Sequence, residues 1–252
     1  MKTLSSALTA VAMAVACDGA TAPTIFRSTP DDSQVPATLR AEYREDAARL
    51  ALRDLLYRGY GGIGIPGEAI QPYYDALVLV HNATSLPARD SVVDTYRIHT
   101  FPSPTTRSLM LQLLSTEAWV QRLARRELPT GEPTVDDLLE RYALSVGSIY
   151  TLSQGDVLAT LGPVEPLNIG ALAPLFRGIT GVRYSEANGT WGDGNDIRGA
   201  LEGSRVLLDY SVGYGDCPSG CIDRRFYHFA VQADGTVEYL GASGAPPPGP
   251  RP

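Results

Sequence analysis

"TRSLMLQLLSTEAWVQRLARREL", residues 106–128, reads as a strand, "TRSLMLQL", running into a helix, "TEAWVQRLARREL". The pattern continues through residue 187. A further helix, "VDDLLERYAL", carries Thr134 and Asp137 as an expected capping box; then come a strand "GSIYTLS", a turn "QGD" and a strand "VLATLG". A helix "IGALAPLFRGI", capped by Asn168, leads to a last strand, "GVRYSEA". In that helix Ile169, Leu172, Phe176 and Ile179 fall on one face and would cover a sheet, while Pro174 implies a late start or a kink. With the extra helix set aside, the order is βαββαβ. This is the ferredoxin-like split βαβ arrangement, an antiparallel sheet with helices on one face.

On the N-terminal side, Leu39, Tyr43, Ala47 and Leu50, joined by Leu55 and Leu56, predict an amphipathic helix over 38–57 that ends at Gly59. A second helix is expected over 70–81, with Tyr74, Leu77 and Val78 on one face and Pro72 in the first turn. Residues 85–106 read as a long connection with a short strand at 95–99. On the C-terminal side, "RVLLDYSVGY" alternates Val206, Leu208, Tyr210, Val212 and Tyr214 with Leu207, Asp209, Ser211 and Gly213, the period of a half-buried strand. "RRFYHFAVQ" is bulky on both faces, and Asp234-Gly235 forms a hairpin turn before the last strand. The fold class is therefore α+β: a helical region (38–100), a ferredoxin-like unit (101–190), and an antiparallel β-meander (191–243) stapled by a disulfide.

The opening "MKTLSSALTAVAMAVAC" has one cation at Lys2, a short apolar run and a small-residue site, the layout of a secretory signal over residues 1–16. Ala14-Val15-Ala16-Cys17 resembles the signal of bacterial lipoproteins, in which small residues precede a cysteine that is lipidated and becomes the first residue. Ala14 departs from that pattern, which usually has a bulky apolar residue there; cleavage after Ala16 without lipidation is the alternative. Three cysteines support lipidation, since one bridge between Cys217 and Cys221 leaves Cys17 unpaired in an oxidising compartment. Residues 17–37, rich in Pro, Ser, Thr and Asp, read as a flexible tether, and 244–252 as a disordered tail. The resemblance implies an exported protein anchored to a membrane through Cys17.

Length and composition fit a globular protein: 252 residues, 44% hydrophobic and 19% charged. The net charge of −7 and the absence of a Lys/Arg cluster argue against nucleic acid as a partner. An extracytoplasmic protein or peptide is the candidate partner.

"YGDCPSGCIDRRFYHFAV", residues 214–231, concentrates cysteines, turn formers and aromatics. Redox dithiols use a CxxC spacing at a helix N-terminus, whereas strands flank this CxxxC, and no Met and only His228 could complete a copper site. Pro218, Ser219 and Gly220 instead let the chain double back, so a structural bridge at a hairpin tip is expected, with no metal and no cofactor. The segment from Tyr214 to about Tyr239 also resembles uncharacterised exported bacterial proteins with a GDCPxGC motif, a resemblance that implies no activity. Arg224, Phe226 and His228 on the aromatic strand are the candidate binding residues.

Other motifs carry less. "WGDGNDIRG" matches one turn of the glycine- and aspartate-rich calcium repeats of secreted toxins, but such sites need stacked copies, so a plain loop is expected. "GYGGIGIPG" follows a helix and lacks the Lys of a phosphate loop. Neither GxSxG nor HExxH occurs, and His81, His99 and His228 are scattered. A membrane-tethered, non-enzymatic binding module is the expected function. The alternatives are a protease-propeptide-like inhibitor and a hydrolase whose site sequence does not reveal.

Overall fold

A computed structural model describes Phe26 and residues 28–247; the signal segment, Cys17, the first part of the expected tether and the last residues lie outside it. The described part of that tether packs on the fold instead of hanging free: Phe26 and Val35 are buried in the core, Arg40 donates to the carbonyls of Asp32 and Val35, and Tyr74 Oη donates to Asp32. The described residues build helices and two four-stranded antiparallel sheets, an α+β architecture. Helix α1 spans Ala37–Tyr57. Helix α2 spans Gly67–Asn82, starting three residues before the expected Ile70, so Pro72 lies inside it rather than in its first turn.

The connection after α2 holds a short helix α3, Pro87–Arg89, continued by a π-helical turn, Asp90–Thr95. The strand expected at 95–99 does not form. Its backbone donors are engaged elsewhere: Tyr96 N–H donates to the Ser91 carbonyl and Ile98 N–H to the Val92 carbonyl, and just beyond it Thr100 N–H donates to the Asp46 carboxylate on α1.

The first sheet contains β1 Leu109–Leu113, β2 Leu144–Thr151, β3 Val157–Pro163 and β4 Val182–Ala187 in the order β2-β3-β1-β4, each neighbour antiparallel. Leu109, Leu111 and Leu113 of β1 and Val157, Ala159 and Leu161 of β3 alternate into one buried face. Helices α4 Ala118–Ala124, α5 Pro133–Arg141 and α6 Ile169–Leu172 share that core through Trp119, Leu123, Leu138 and Leu172.

Helix ends differ from expectation for local reasons. α4 stops at Ala124 rather than Leu128, because Arg126 turns left-handed (φ 59°) and donates to the carbonyls of Val146 and Gly147. The expected Thr134–Asp137 capping box is absent. Pro133 starts α5, Asp137 pairs with Arg141, and it is Asp136 that reaches back to accept from Thr130 N–H, Thr130 Oγ1–H and Gly131 N–H. Asn168 does cap α6, accepting from Ala171 N–H, but Pro174 tightens the next residues, Ala173–Phe176, into a 3-10 turn that stops short of Ile179.

The second sheet runs in chain order: β5 Asp196–Glu202, β6 Arg205–Tyr214, β7 Asp223–Gln232 and β8 Val237–Ser243. β5 replaces part of the expected "WGDGNDIRG" loop, and Ile197 is fully buried on it. Val206, Leu208, Tyr210 and Val212 of β6 face α1 and α2, so residues 38–100 and 191–243 bury one another's apolar surface although a whole sheet intervenes in sequence. Gly199 lets the two layers approach closely: a Cβ there would lie 2.8 Å from the Tyr73 ring and 3.4 Å from Leu50.

Candidate functional site

Cys17 lies outside the described residues. Cys217 and Cys221 are joined by a disulfide in the loop between β6 and β7. The "WGDGNDIRG" loop docks on that bridge: Asp193 N–H donates to the Cys217 carbonyl, and Asn195 Oδ1 accepts from Gly213 N–H. Arg224 locks the contact, donating to Gly194 O (2.8 Å), Ser211 Oγ (2.8 Å) and Asp193 Oδ1 (2.5 Å). Arg224 and Asp193 thus form an ion pair across the two loops. Phe226 and His228 lie on the same face of β7, turned away from the helices, with their rings stacked 6.1 Å apart.

The described residues converge elsewhere. One turn of α1, the end of α2 and the segment 93–99 enclose a cleft of about 370 Å3, lined by Glu42, Tyr43, His81, Asp94, Arg97 and His99 among others. His99 Nδ1 lies 2.6 Å from Asp46 Oδ2, and its Nε2 lies 3.3 Å from Glu42 Oε2. Glu42 and Asp46, one helical turn apart on α1, therefore bracket the imidazole. Asp46 is 2% exposed, and its other oxygen accepts from Thr100 N–H (2.9 Å) and Thr100 Oγ1–H (2.7 Å). A buried carboxylate with that many donors is fully satisfied and fixes the ring it holds.

The second histidine meets the same tyrosine. Tyr43 Oη is 3.1 Å from His81 Nδ1, and its ring stands edge-on to His81 at 5.8 Å and tilted against His99 at 6.0 Å. Behind His81, the buried Arg89 donates from Nε to the His81 carbonyl at 2.7 Å and pairs with Asp90 and Asp94.

The two imidazoles are tuned in opposite directions. The hydrogen bond to Asp46 raises the pKa of His99, against an opposing effect of burial, and the charges of Asp46 and Glu42 add to the rise. Burial lowers that of His81, and the Arg89 cation lowers it further. Burial, helped by the Asp46 charge, pushes the Tyr43 phenol far up and keeps it a neutral hydroxyl. One cleft thus holds an imidazole disposed to be cationic, one disposed to be neutral and a phenol between them.

The segment carrying His99 is anchored from α1. Arg49, 7% exposed, donates from one terminal nitrogen to Thr100 Oγ1 (2.5 Å) and from the other to Glu45 (3.1 Å). Arg53 donates to the carbonyls of Phe101, Ser103 and Ile197 and to Asp196. Among the described residues, no group of three His, Cys, Asp or Glu side chains is placed to hold a metal ion. No described helix is long and apolar enough to cross a membrane.

The sequence shows His81 and His99 as scattered, marks Tyr43 only as a packing residue of α1 and does not single out Asp46. One signal is present. Tyr43, Asp46, Ala47 and Leu50 share a face of α1, so a carboxylate stands in the row of residues that packs inward. No family model matches the chain, and neither a curated protein nor a solved structure matches it significantly.

Proposed function

We propose that the chain is a binding module, exported and tethered to a membrane by a lipid on Cys17, whose ligand enters the cleft around Tyr43. The observation that carries this reading is the convergence of His81 and His99 on Tyr43 from two separate segments, with opposite pKa shifts. Such tuning is a mark of functional sites. The cleft offers Arg97 to an anionic group, the exposed carboxylates of Asp94 and Glu42 to a cationic one, and Leu39, Val93 and Ile98 to an apolar stem. That pattern suits a small zwitterion, such as an amino acid or the end of a peptide.

Titrating the full chain with the dipeptide Ala-Ala, monitored at the imidazole carbons by NMR, tests the reading. The His99 and His81 signals should shift saturably, and His99→Ala should abolish binding while the fold persists. Unmoved signals, or equal binding by the variant, would overturn it.

The middle unit is read here as ferredoxin-like, a reading supported by the order β2-β3-β1-β4 with helices packed on one buried face. A specific observation favours a second function, the propeptide-like inhibitor. β4 stands at the sheet edge with Tyr184 about half exposed, which is the position from which a strand can pair with a peptidase. Capture of a defined extracytoplasmic peptidase with measurable inhibition would establish it in place of the cleft.

A further inference from the structure

The outward face of the second sheet carries a constellation that the cleft does not use. Asp209 of β6, His228 of β7 and Ser243 of β8 lie on three adjacent strands. His228 Nδ1 is 2.6 Å from Asp209 Oδ1, and His228 Nε2 is 2.9 Å from Ser243 Oγ. These are the distances at which a carboxylate orients an imidazole and the imidazole in turn accepts a hydroxyl proton. With the Nδ1 proton directed at Asp209, Nε2 presents its lone pair to Ser243.

Three further features hold the arrangement in place. Phe226 stacks on His228 with the planes 10° apart. A bulge in the β7–β8 pairing falls beside His228, between it and Phe229, where such irregularities re-aim side chains. Beyond Ser243 the chain is tied down, with Arg225 donating to Gly244 O at 2.6 Å and Tyr214 Oη to Ala245 O at 3.0 Å. The side chains of His228 and Asp209 remain 31% and 45% exposed, and Ser243 is exposed, so an external acyl group can reach the hydroxyl.

We propose that Asp209, His228 and Ser243 form a serine-nucleophile site that cleaves carboxylic esters on the open face of the C-terminal sheet. Ser243 Oγ attacks the ester carbonyl carbon as its proton passes to His228 Nε2, so that an O–C bond forms. The bond from that carbon to the alcohol oxygen then breaks, and the leaving alcohol takes the proton from His228. Water, deprotonated by the same nitrogen, attacks the acyl-serine and releases the acid, and Ser243 recovers its proton. Asp209 keeps its charge throughout and positions the ring. The open face sets no limit on the size of the alcohol.

The test uses the full chain with a fluorophosphonate probe, read by intact mass and tandem mass spectrometry, and with p-nitrophenyl acetate hydrolysis. One phosphonyl adduct on Ser243 is expected. Ser243→Ala and His228→Ala should each lower adduct formation and hydrolysis at least about 100-fold, and Asp209→Asn at least about tenfold. Ser153→Ala, in an exposed turn of the other sheet, should retain both. Adduct formation that is absent from the folded wild type, that maps to another residue, or that persists in folded Ser243→Ala overturns the site and leaves the three side chains as a structural hydrogen-bond chain.

Discussion

His99 Nδ1 and Asp46 Oδ2 stand 2.6 Å apart although 53 residues separate them in the chain, and this bond sets the charge state of the cleft. Because the folded-state pKa of His99 is raised above its usual value of 6.5, the folded protein binds a proton that the unfolded chain releases first. The resulting stabilisation is fully present below pH 6.5 and is lost as the pH climbs through the raised value. His81, lowered by burial and Arg89, acts the other way, favouring the folded state above 6.5 and losing that contribution as the pH falls toward its folded value. Urea unfolding of wild type and His99→Asn between pH 5 and 9 should show a stability difference that is largest in the acidic range and shrinks upward. A pH-independent difference would mean that Asp46 does not hold an imidazolium.

Replacing Asp46 itself removes more than the ring contact. It leaves the two Thr100 donors without their buried acceptor and removes the carboxylate 4.0 Å from Arg49, so Asp46→Ala should cost about 3 kcal/mol. Denaturant melts at neutral pH check this, and a cost well below about 1 kcal/mol would mean that the network around Asp46 is not buried and satisfied as described.

Gly199→Ala tests the contact between the helical layer and the C-terminal sheet. Its Cβ would meet the Tyr73 ring on α2 and Leu50 on α1. Overpacking of this kind should destabilise by about 1–3 kcal/mol. A neutral or stabilising outcome in thermal melts would show that the layers are not in close contact there.

The bridge between Cys217 and Cys221 closes a very short loop, so replacing both with Ser should lower stability by about 2 kcal/mol on the chain-entropy model. The loop at Asp193 and Gly194 rests on the same turn, and its amides should lose protection from hydrogen exchange in the double variant. Dipeptide binding at the Tyr43 cleft should remain.

Lipidation is checked on the protein purified from membranes. Intact mass should show a mature chain beginning at an acylated Cys17, and Cys17→Ala should move the protein to the aqueous phase on detergent partitioning. An unmodified Cys17 in a soluble wild type would remove the anchor from the account.

Where one face of an element is buried, its side-chain period marks it in the sequence. The strand 205–214 is legible to the residue because its alternation mirrors one buried and one open face, and α1 is legible to within a residue from its apolar spacing. β5 is hidden because Gly199 stands on its inward face between Ile197 and Leu201, where Tyr73 and Leu50 leave no room for the apolar side chain that would complete the alternation. The cleft is illegible for a different reason. It depends on the irregular segment 96–108, whose course is set by Asp46, Arg49, Arg53 and Asp196 rather than by any local preference of its own. The Asp209–His228–Ser243 chain likewise requires the strand order and register, which bring residues 19 and 15 positions apart in sequence into contact.

The central claim is that the cleft pairs an imidazole whose pKa is raised with one whose pKa is lowered around Tyr43, and pH titration of the two ring signals by NMR tests it most directly. The His99 midpoint should fall above 6.5 and that of His81 below it, with Asp46→Asn lowering the first and leaving the second nearly in place. Coincident midpoints near 6.5, unmoved by Asp46→Asn, would contradict the account.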